Sequence, residues 1–121
     1  MEIKGYRDLR VWQAGMEPAE EAYRVTTSFP DRELYGLTDS IRRASVNIPS
    51  NIAQGHTLET TKDYLYHLNR AQAHLADFRT QLELAGRFRY LPVELLDQTM
   101  DRTISLAKQL SALRNAPLRN G

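Results

Sequence analysis

Apolar residues recur along the chain at alternating intervals of three and four, the spacing that lays them along one face of an α-helix. Leu9, Trp12, Met16, Ala19 and Tyr23 keep this spacing and predict a first helix over about 7–28. Pro18 lies inside it, removing one backbone donor and crowding the carbonyl of Ala14, so a kink there or a break just before it is expected. Leu34, Leu37, Ile41, Ala44, Ile48 and Ile52 predict a second helix over about 33–53, bent where Pro49 frees the carbonyl of Ser45. Tyr64, Leu68, Ala71, Leu75, Phe78, Leu82 and Ala85 give the longest uninterrupted run and predict a third helix over about 61–86. Leu96, Met100, Ala107 and Leu110 mark a fourth over about 92–113, with Pro92 suited to its first position.

The intervening residues read as stops. Phe29-Pro30-Asp31 ends the first helix, Gly55-His56-Thr57 makes the second turn, and Gly86 closes the third helix. Thr60 followed by Asp63 reads as a capping box, the hydroxyl and the carboxylate satisfying each other's backbone donors. No alternating strand pattern, internal repeat or low-complexity segment competes. Four long helices with short connections predict an all-α, antiparallel up-down-up-down four-helix bundle, one domain over 1–121 with a loose tail over 115–121.

Composition narrows the function more than the fold. With 121 residues, 41% apolar and 26% charged, the chain is long enough to bury a core without staples. It has no cysteine, which excludes disulfides, thiol catalysis and thiolate metal sites and fits a reducing cytoplasm. The first residues, Met1-Glu2-Ile3-Lys4-Gly5-Tyr6, hold no apolar run, so no secretory signal is expected, and nowhere do enough apolar residues run together to span a membrane. Bundles often hide metals, but no Glu-x-x-His pair occurs, so no carboxylate-bridged site, metal or cofactor is expected. His67 and His74 share a face yet stand about 10 Å apart along the helix axis, too far to share one ion. Solvated or hydrogen-bonded surface histidines are the simpler account. No nucleophile elbow or glycine-rich phosphate loop is present, and the Glu20-Glu21 pair reads as a solvated face, so no catalytic residue is assigned and the chain is expected not to be an enzyme.

Charge is balanced at +1, but its distribution is uneven. Residues 1–40 hold 5 basic and 8 acidic groups, a net of −3, and residues 87–121 hold 6 basic and 3 acidic groups, a net of +3. Arginine outnumbers lysine 13 to 3, which suits bidentate phosphate contacts and equally suits a genome rich in arginine codons. Arg42 and Arg43, with Arg70, Arg79, Arg114 and Arg119, are candidate contacts to RNA or DNA. The basic, aromatic-interleaved run Arg87-Phe88-Arg89-Tyr90 is the sharpest of them. Against this, Asp39 lies one turn before Arg42 and Arg43, and Glu83 one turn after Arg79, so local ion pairs can neutralise all three.

Tyr6, Trp12, Tyr23, Phe29, Tyr35, Tyr66, Phe88 and Tyr90 are too many rings for one slim bundle. The first helix also carries a second apolar stripe, Val11, Ala22, Val25 and Phe29. A helix apolar on more than one face calls for more than one neighbour, which predicts a homo-oligomer. Val11 and Val25 are candidate subunit contacts on that stripe. Asn47, Asn51 and Gln54 lie off the apolar face of the second helix, and a bend at Pro49 would turn them towards a subunit boundary. In the alternative, Asn51 stays within one bundle and hydrogen-bonds the freed backbone.

The segment Leu37-Thr38-Asp39-Ser40-Ile41-Arg42-Arg43-Ala44-Ser45-Val46-Asn47-Ile48-Pro49-Ser50-Asn51-Ile52-Ala53-Gln54-Gly55 resembles the signature of the 23S rRNA intervening-sequence protein family. Tyr6-x-x-Leu9-x-Val11-Trp12-Gln13, Phe29-Pro30-x-x-Glu33-x-Tyr35-Gly36-Leu37 and Thr80-Gln81-Leu82-Glu83-Leu84-Ala85 are similar to its other motifs. The chain departs from the pattern at Ser40, Asn47 and Gln54, and again at Ala73, His74 and Asp77. The resemblance implies a four-helix bundle, assembly in some members as a pentameric ring, and, through similar bundles that accompany reverse transcriptases in diversity-generating retroelements, an association with nucleic acid. Residues and resemblance together point to a non-enzymatic, oligomeric binding or scaffold protein, contacting nucleic acid through its arginines. A protein–protein adaptor without nucleic-acid contact is the alternative.

Overall fold

The computed structural model describes residues 5–116. Four helices carry the fold: α1 (Arg10–Val25), α2 (Asp39–Thr57), α3 (Thr61–Arg87) and α4 (Val93–Asn115). Each packs on the next, and α4 closes back on α1, so the helices stand in cyclic order around one core. The start of α1, the end of α2, the start of α3 and the end of α4 line a common cavity, which makes neighbouring helices antiparallel. Asn115 is the last residue of α4, while residues 117–121, including Arg119, fall outside the described part, as do residues 1–4.

The third helix was the most strongly patterned, and its stripe from Leu68 to Ala85 is buried throughout. Ile41, Ala44, Ile48 and Ile52 face it from α2. Burying each of the leucine, isoleucine and phenylalanine side chains contributes roughly 1.5–3 kcal/mol, which makes this central pair a major source of stability. The Thr60 hydroxyl accepts from the Asp63 amide at 3.1 Å, the N-cap half of the predicted box, and donates to the Asp63 carboxylate at 2.8 Å.

α1 is turned partly away from the face its bulky residues suggested, although Leu9 and Trp12 still pack against the core. Val11, Gly15, Pro18, Ala22 and Val25 are buried, whereas Met16 and Tyr23 are exposed. Gly15 lets α1 approach α2 closely: a Cβ there would stand 3.0 Å from Ile52 Cδ1 and 3.6 Å from Pro49 Cα. Both interior prolines are buried, and α1 and α2 run through Pro18 and Pro49 without a break. In α4, Leu110 is buried and Leu96, Met100 and Ala107 pack against the core as expected, but the helix is turned enough to bury Thr99, Thr103 and Leu106 as well. Its two threonines donate to their own helix, to the carbonyls of Leu95 and Met100, and so enter the core without an unsatisfied hydroxyl.

The second turn falls later than predicted. α2 runs on to Thr57, with Gly55 buried inside it. The longest connection joins α1 to α2 through short 3-10 turns at Thr26–Ser28 and Asp31–Glu33 and a wide helical turn over Leu34–Thr38. Here the Glu33 carboxylate accepts from the Leu37 amide at 3.2 Å. A Cβ on Gly36 would lie 2.9 Å from that carboxylate, so a larger residue there would displace the Glu33 side chain from this position.

Candidate functional site

The arginines named from sequence separate into two groups. Arg42 and Arg43 start α2, where they border a groove of about 450 Å³ with Tyr23, Leu34, Tyr35 and Val46. Neither guanidinium is idle. Arg42 lies 4.6 Å from the centre of the Tyr23 ring and donates from Nε to the Thr26 hydroxyl at 2.9 Å. Arg43 reaches Asp39 at 2.7 Å, so Asp39 neutralises one of the two arginines rather than both. Arg79 forms no ion pair with Glu83 among the described residues, and its Nε is buried without a hydrogen-bond partner.

Arg87, Phe88, Arg89 and Tyr90 form the turn from α3 to α4. Arg89 occupies the left-handed region at φ 62. The Arg89 amide donates to the Gly86 carbonyl and the Tyr90 amide to the Ala85 carbonyl, the paired bonds that close a helix C-terminus. Tyr90 therefore points back into the protein. Its ring centre stands 5.5 Å from that of Phe29, and its hydroxyl donates to Glu33 at 2.8 Å. That contact removes Tyr90 from the predicted nucleic-acid-binding set, because both its ring and its hydroxyl are engaged internally. The Tyr90 hydroxyl is also the main reason the Glu33 carboxyl lies below its ordinary value, followed by the Leu37 amide, with burial opposing them and the Arg32 charge adding least. Arg87, Phe88 and Arg89 remain exposed.

The predicted subunit contacts need correction. Val11 and Val25 are 5% and 2% exposed and belong to the core of a single chain, so they are not available to a second copy. Asn51 is 2% exposed. Its amide nitrogen donates to the Asn47 carbonyl at 2.8 Å, so its oxygen faces His67 Nδ1 at 2.9 Å as an acceptor and His67 carries a proton on Nδ1. Arg70 donates to the same oxygen at 3.3 Å. Asn51 thus stays within its own bundle, though it takes the Asn47 carbonyl rather than the Ser45 carbonyl freed by Pro49. Asn47 is half-buried and Gln54 exposed, each with its amide turned along α2, to the Arg43 carbonyl and the Ser50 hydroxyl.

The surface that is apolar and open lies elsewhere. Tyr35 is 92% exposed and Tyr23 51%, and Leu34 and Val46 join them around the Arg42–Arg43 groove. The sequence reading placed Tyr23 and Leu34 in the core and so missed this cluster. Signals for it existed, since Tyr35 falls off every stripe and Tyr23 and Val46 flank the two arginines only once α1 is turned.

Reactive chemistry is sparse. Glu21 is buried and held by Arg24 at 2.9 Å and by Arg102 from α4, an arrangement that ties helices together. His74 lies below its ordinary pKa, chiefly through burial and secondarily through Arg70, with Asp77 opposing. No group of three or more potential metal ligands gathers among the described residues. No helix among them is long and apolar enough to cross a membrane.

These features define an all-α four-helix bundle whose distinctive surface is an aromatic, arginine-bordered groove rather than a cluster of reactive groups. The chain belongs to the 23S rRNA-intervening sequence protein family, whose family model matches residues 7–112. It is similar in structure to a protein of unknown function from the S23 ribosomal protein family of Bacteroides thetaiotaomicron. That likeness has 19% identity and a TM-score of 0.80, over 88% of this chain and 96% of the other. No curated protein matches it.

Proposed function

We propose that this protein is a non-enzymatic scaffold that acts as a homo-oligomer, its copies joined through the groove between the end of α1 and the start of α2. The observation that carries this reading is the cluster Tyr23, Leu34, Tyr35 and Val46, four large apolar side chains left in water around one concavity. Aromatic rings with an adjacent arginine are the residue types enriched at protein interfaces, and the rest of the apolar stripe of α1 is already used inside the chain. A second copy suits the groove better than a polyanion. Arg43 is paired with Asp39, and Arg42, still charged, is held by Tyr23 and Thr26, which leaves one uncompensated cationic charge for a polyanion. A groove that receives a different patch of the next copy builds a closed ring when the rotation between copies closes, the assembly that the family resemblance implies.

Sedimentation equilibrium tests the reading. Wild type is expected well above the 13.9 kDa of one chain, and Tyr35→Glu together with Tyr23→Glu is expected to sediment as a folded monomer. A monomeric wild type would remove the proposal and leave the groove to a different protein, the adaptor reading.

Nucleic-acid contact is a second reading, favoured by the exposure of Arg87, Phe88 and Arg89 at the turn into α4, with no ion pair to either arginine among the described residues. Phosphate contacts release counterions, so RNA affinity should fall steeply with salt and weaken on charge reversal at Arg87 and Arg89. Absence of any RNA or DNA shift at low salt and micromolar protein would end it.

A further inference from the structure

At the end of the bundle where α1 and α3 begin, the four helices part around a cavity of about 310 Å³. Val11, Ile52, Leu68 and Leu113, one from each helix, and Leu9 just before α1 supply its apolar wall. Arg10 is the one fixed charge that lines the cavity, beside the imidazole of His56, and no aspartate or glutamate does. Arg10 is exposed and forms no ion pair among the described residues, unlike Arg24, Arg43 and Arg102.

This hollow has its apolar wall open to solvent, and covering that wall with a hydrocarbon body would remove its surface from water. Its volume lies at the lower limit of small-ligand sites, which run from about 300 to 1,000 Å³ and combine apolar walls with a few polar groups. One unpaired guanidinium beside an apolar hollow is complementary to a single planar anion attached to a compact apolar body. A phosphate monoester, with nearly two charges, would require more cationic partners than Arg10 alone provides.

We infer that this cavity binds a small monocarboxylate, its hydrocarbon body among Leu9, Ile52, Leu68 and Leu113 and its carboxylate on Arg10. The site stands apart from the proposed self-association groove, which uses the opposite ends of α1 and α2, and either can fail without the other.

Octanoate is a suitable probe, with octylamine as its counterpart of equal body and opposite charge. Titration into isotopically labelled full-length protein, followed through backbone amide shifts, should give saturable 1:1 binding at low-millimolar concentration or below, with the largest shifts near Val11, Ile52, Leu68 and Leu113. Octylamine should bind at least about tenfold more weakly, and Arg10→Gln should weaken octanoate by about tenfold or more while leaving thermal unfolding unchanged. Ala112→Trp, which fills the cavity mouth from an exposed position on α4, should abolish octanoate binding in a folded protein. Equal affinity for octanoate and octylamine, unsaturated shifts, or shifts centred on the Tyr35 groove would each overturn the assignment. Octanoate binding that survives Ala112→Trp would overturn it as well.

Discussion

Arg89 holds a backbone conformation that costs an ordinary residue about 1–2 kcal/mol and glycine almost nothing. Arg89→Gly should therefore raise stability by about 1 kcal/mol, read as a higher urea midpoint at unchanged slope. An unchanged or lower midpoint would mean that the arginine side chain offsets its own strain. The sequence placed the end of α3 at Gly86, the residue type that normally takes this conformation. The structure keeps Gly86 inside the last turn and gives the left-handed position to Arg89 three residues later, which no local pattern marks. Glu33 is the second residue whose setting outweighs its type. Because Tyr90 and the Leu37 amide hold its carboxyl below the ordinary 4.5, the folded state favours the ionised form. The resulting stability is fully present above 4.5 and fades as the pH falls through the lower folded value. In Tyr90→Phe, the Glu33 carboxyl should titrate closer to its ordinary value, and the acid limb of the stability curve should flatten. NMR titration of the Glu33 carboxyl in both proteins measures this directly, and an unmoved midpoint would show that Tyr90 is not the dominant cause.

At the scale of the element, the helices were legible and the faces of two of them were not. α3 was read correctly because its stripe is made of large residues without rivals. α1 offers two stripes of the same period, and the bulkier one, Leu9, Trp12, Met16, Ala19 and Tyr23, suggested the core. The true seam, Val11, Gly15, Pro18, Ala22 and Val25, is built from small residues. It wins because Gly15 allows the α1 backbone to settle onto Pro49 and Ile52, a benefit visible only once α2 is in place. In α4 the signal was hidden by polarity, since Thr99 and Thr103 hold the inward positions and satisfy their hydroxyls on their own helix. The same uncertainty of face explains why Val11 and Val25 were assigned to a subunit boundary and Tyr23 to the core. Gly15→Leu tests the argument. A side chain cannot enter that contact without pushing the helices apart, so a loss of about 1–3 kcal/mol is expected in thermal unfolding. A neutral outcome would show that α1 and α2 can separate freely there. Leu at the exposed neighbour Met16 should be tolerated within about 0.5 kcal/mol.

For the molecule as a whole, the helices pack in chain order, so most contacts join segments close in sequence. The seam between α1 and α4 is the exception. It brings together the first and last helices, and the lighter packing there is bridged by Arg102 reaching Glu21. Loop-closure entropy must be met before so distant a pair contributes anything, whereas α2 and α3 meet across a short turn. The bundle should therefore assemble from the α2–α3 hairpin outwards and close along the α1–α4 seam last. Arg102→Ala leaves Glu21 to Arg24 alone, and because the arginine is largely solvated the loss should be modest, about 1 kcal/mol. Its distribution between the two rates carries the information. Contacts formed after the transition state retard escape from the native well without hastening entry to it. Stopped-flow measurements on Arg102→Ala should show faster unfolding and unaltered refolding, while Leu75→Ala in the central hairpin should slow refolding. Equal slowing of refolding by both variants would place seam closure inside the nucleus. If closure is late, the Arg102–Glu21 bridge acts as a kinetic clasp: it sets how long each folded subunit persists rather than how quickly it forms.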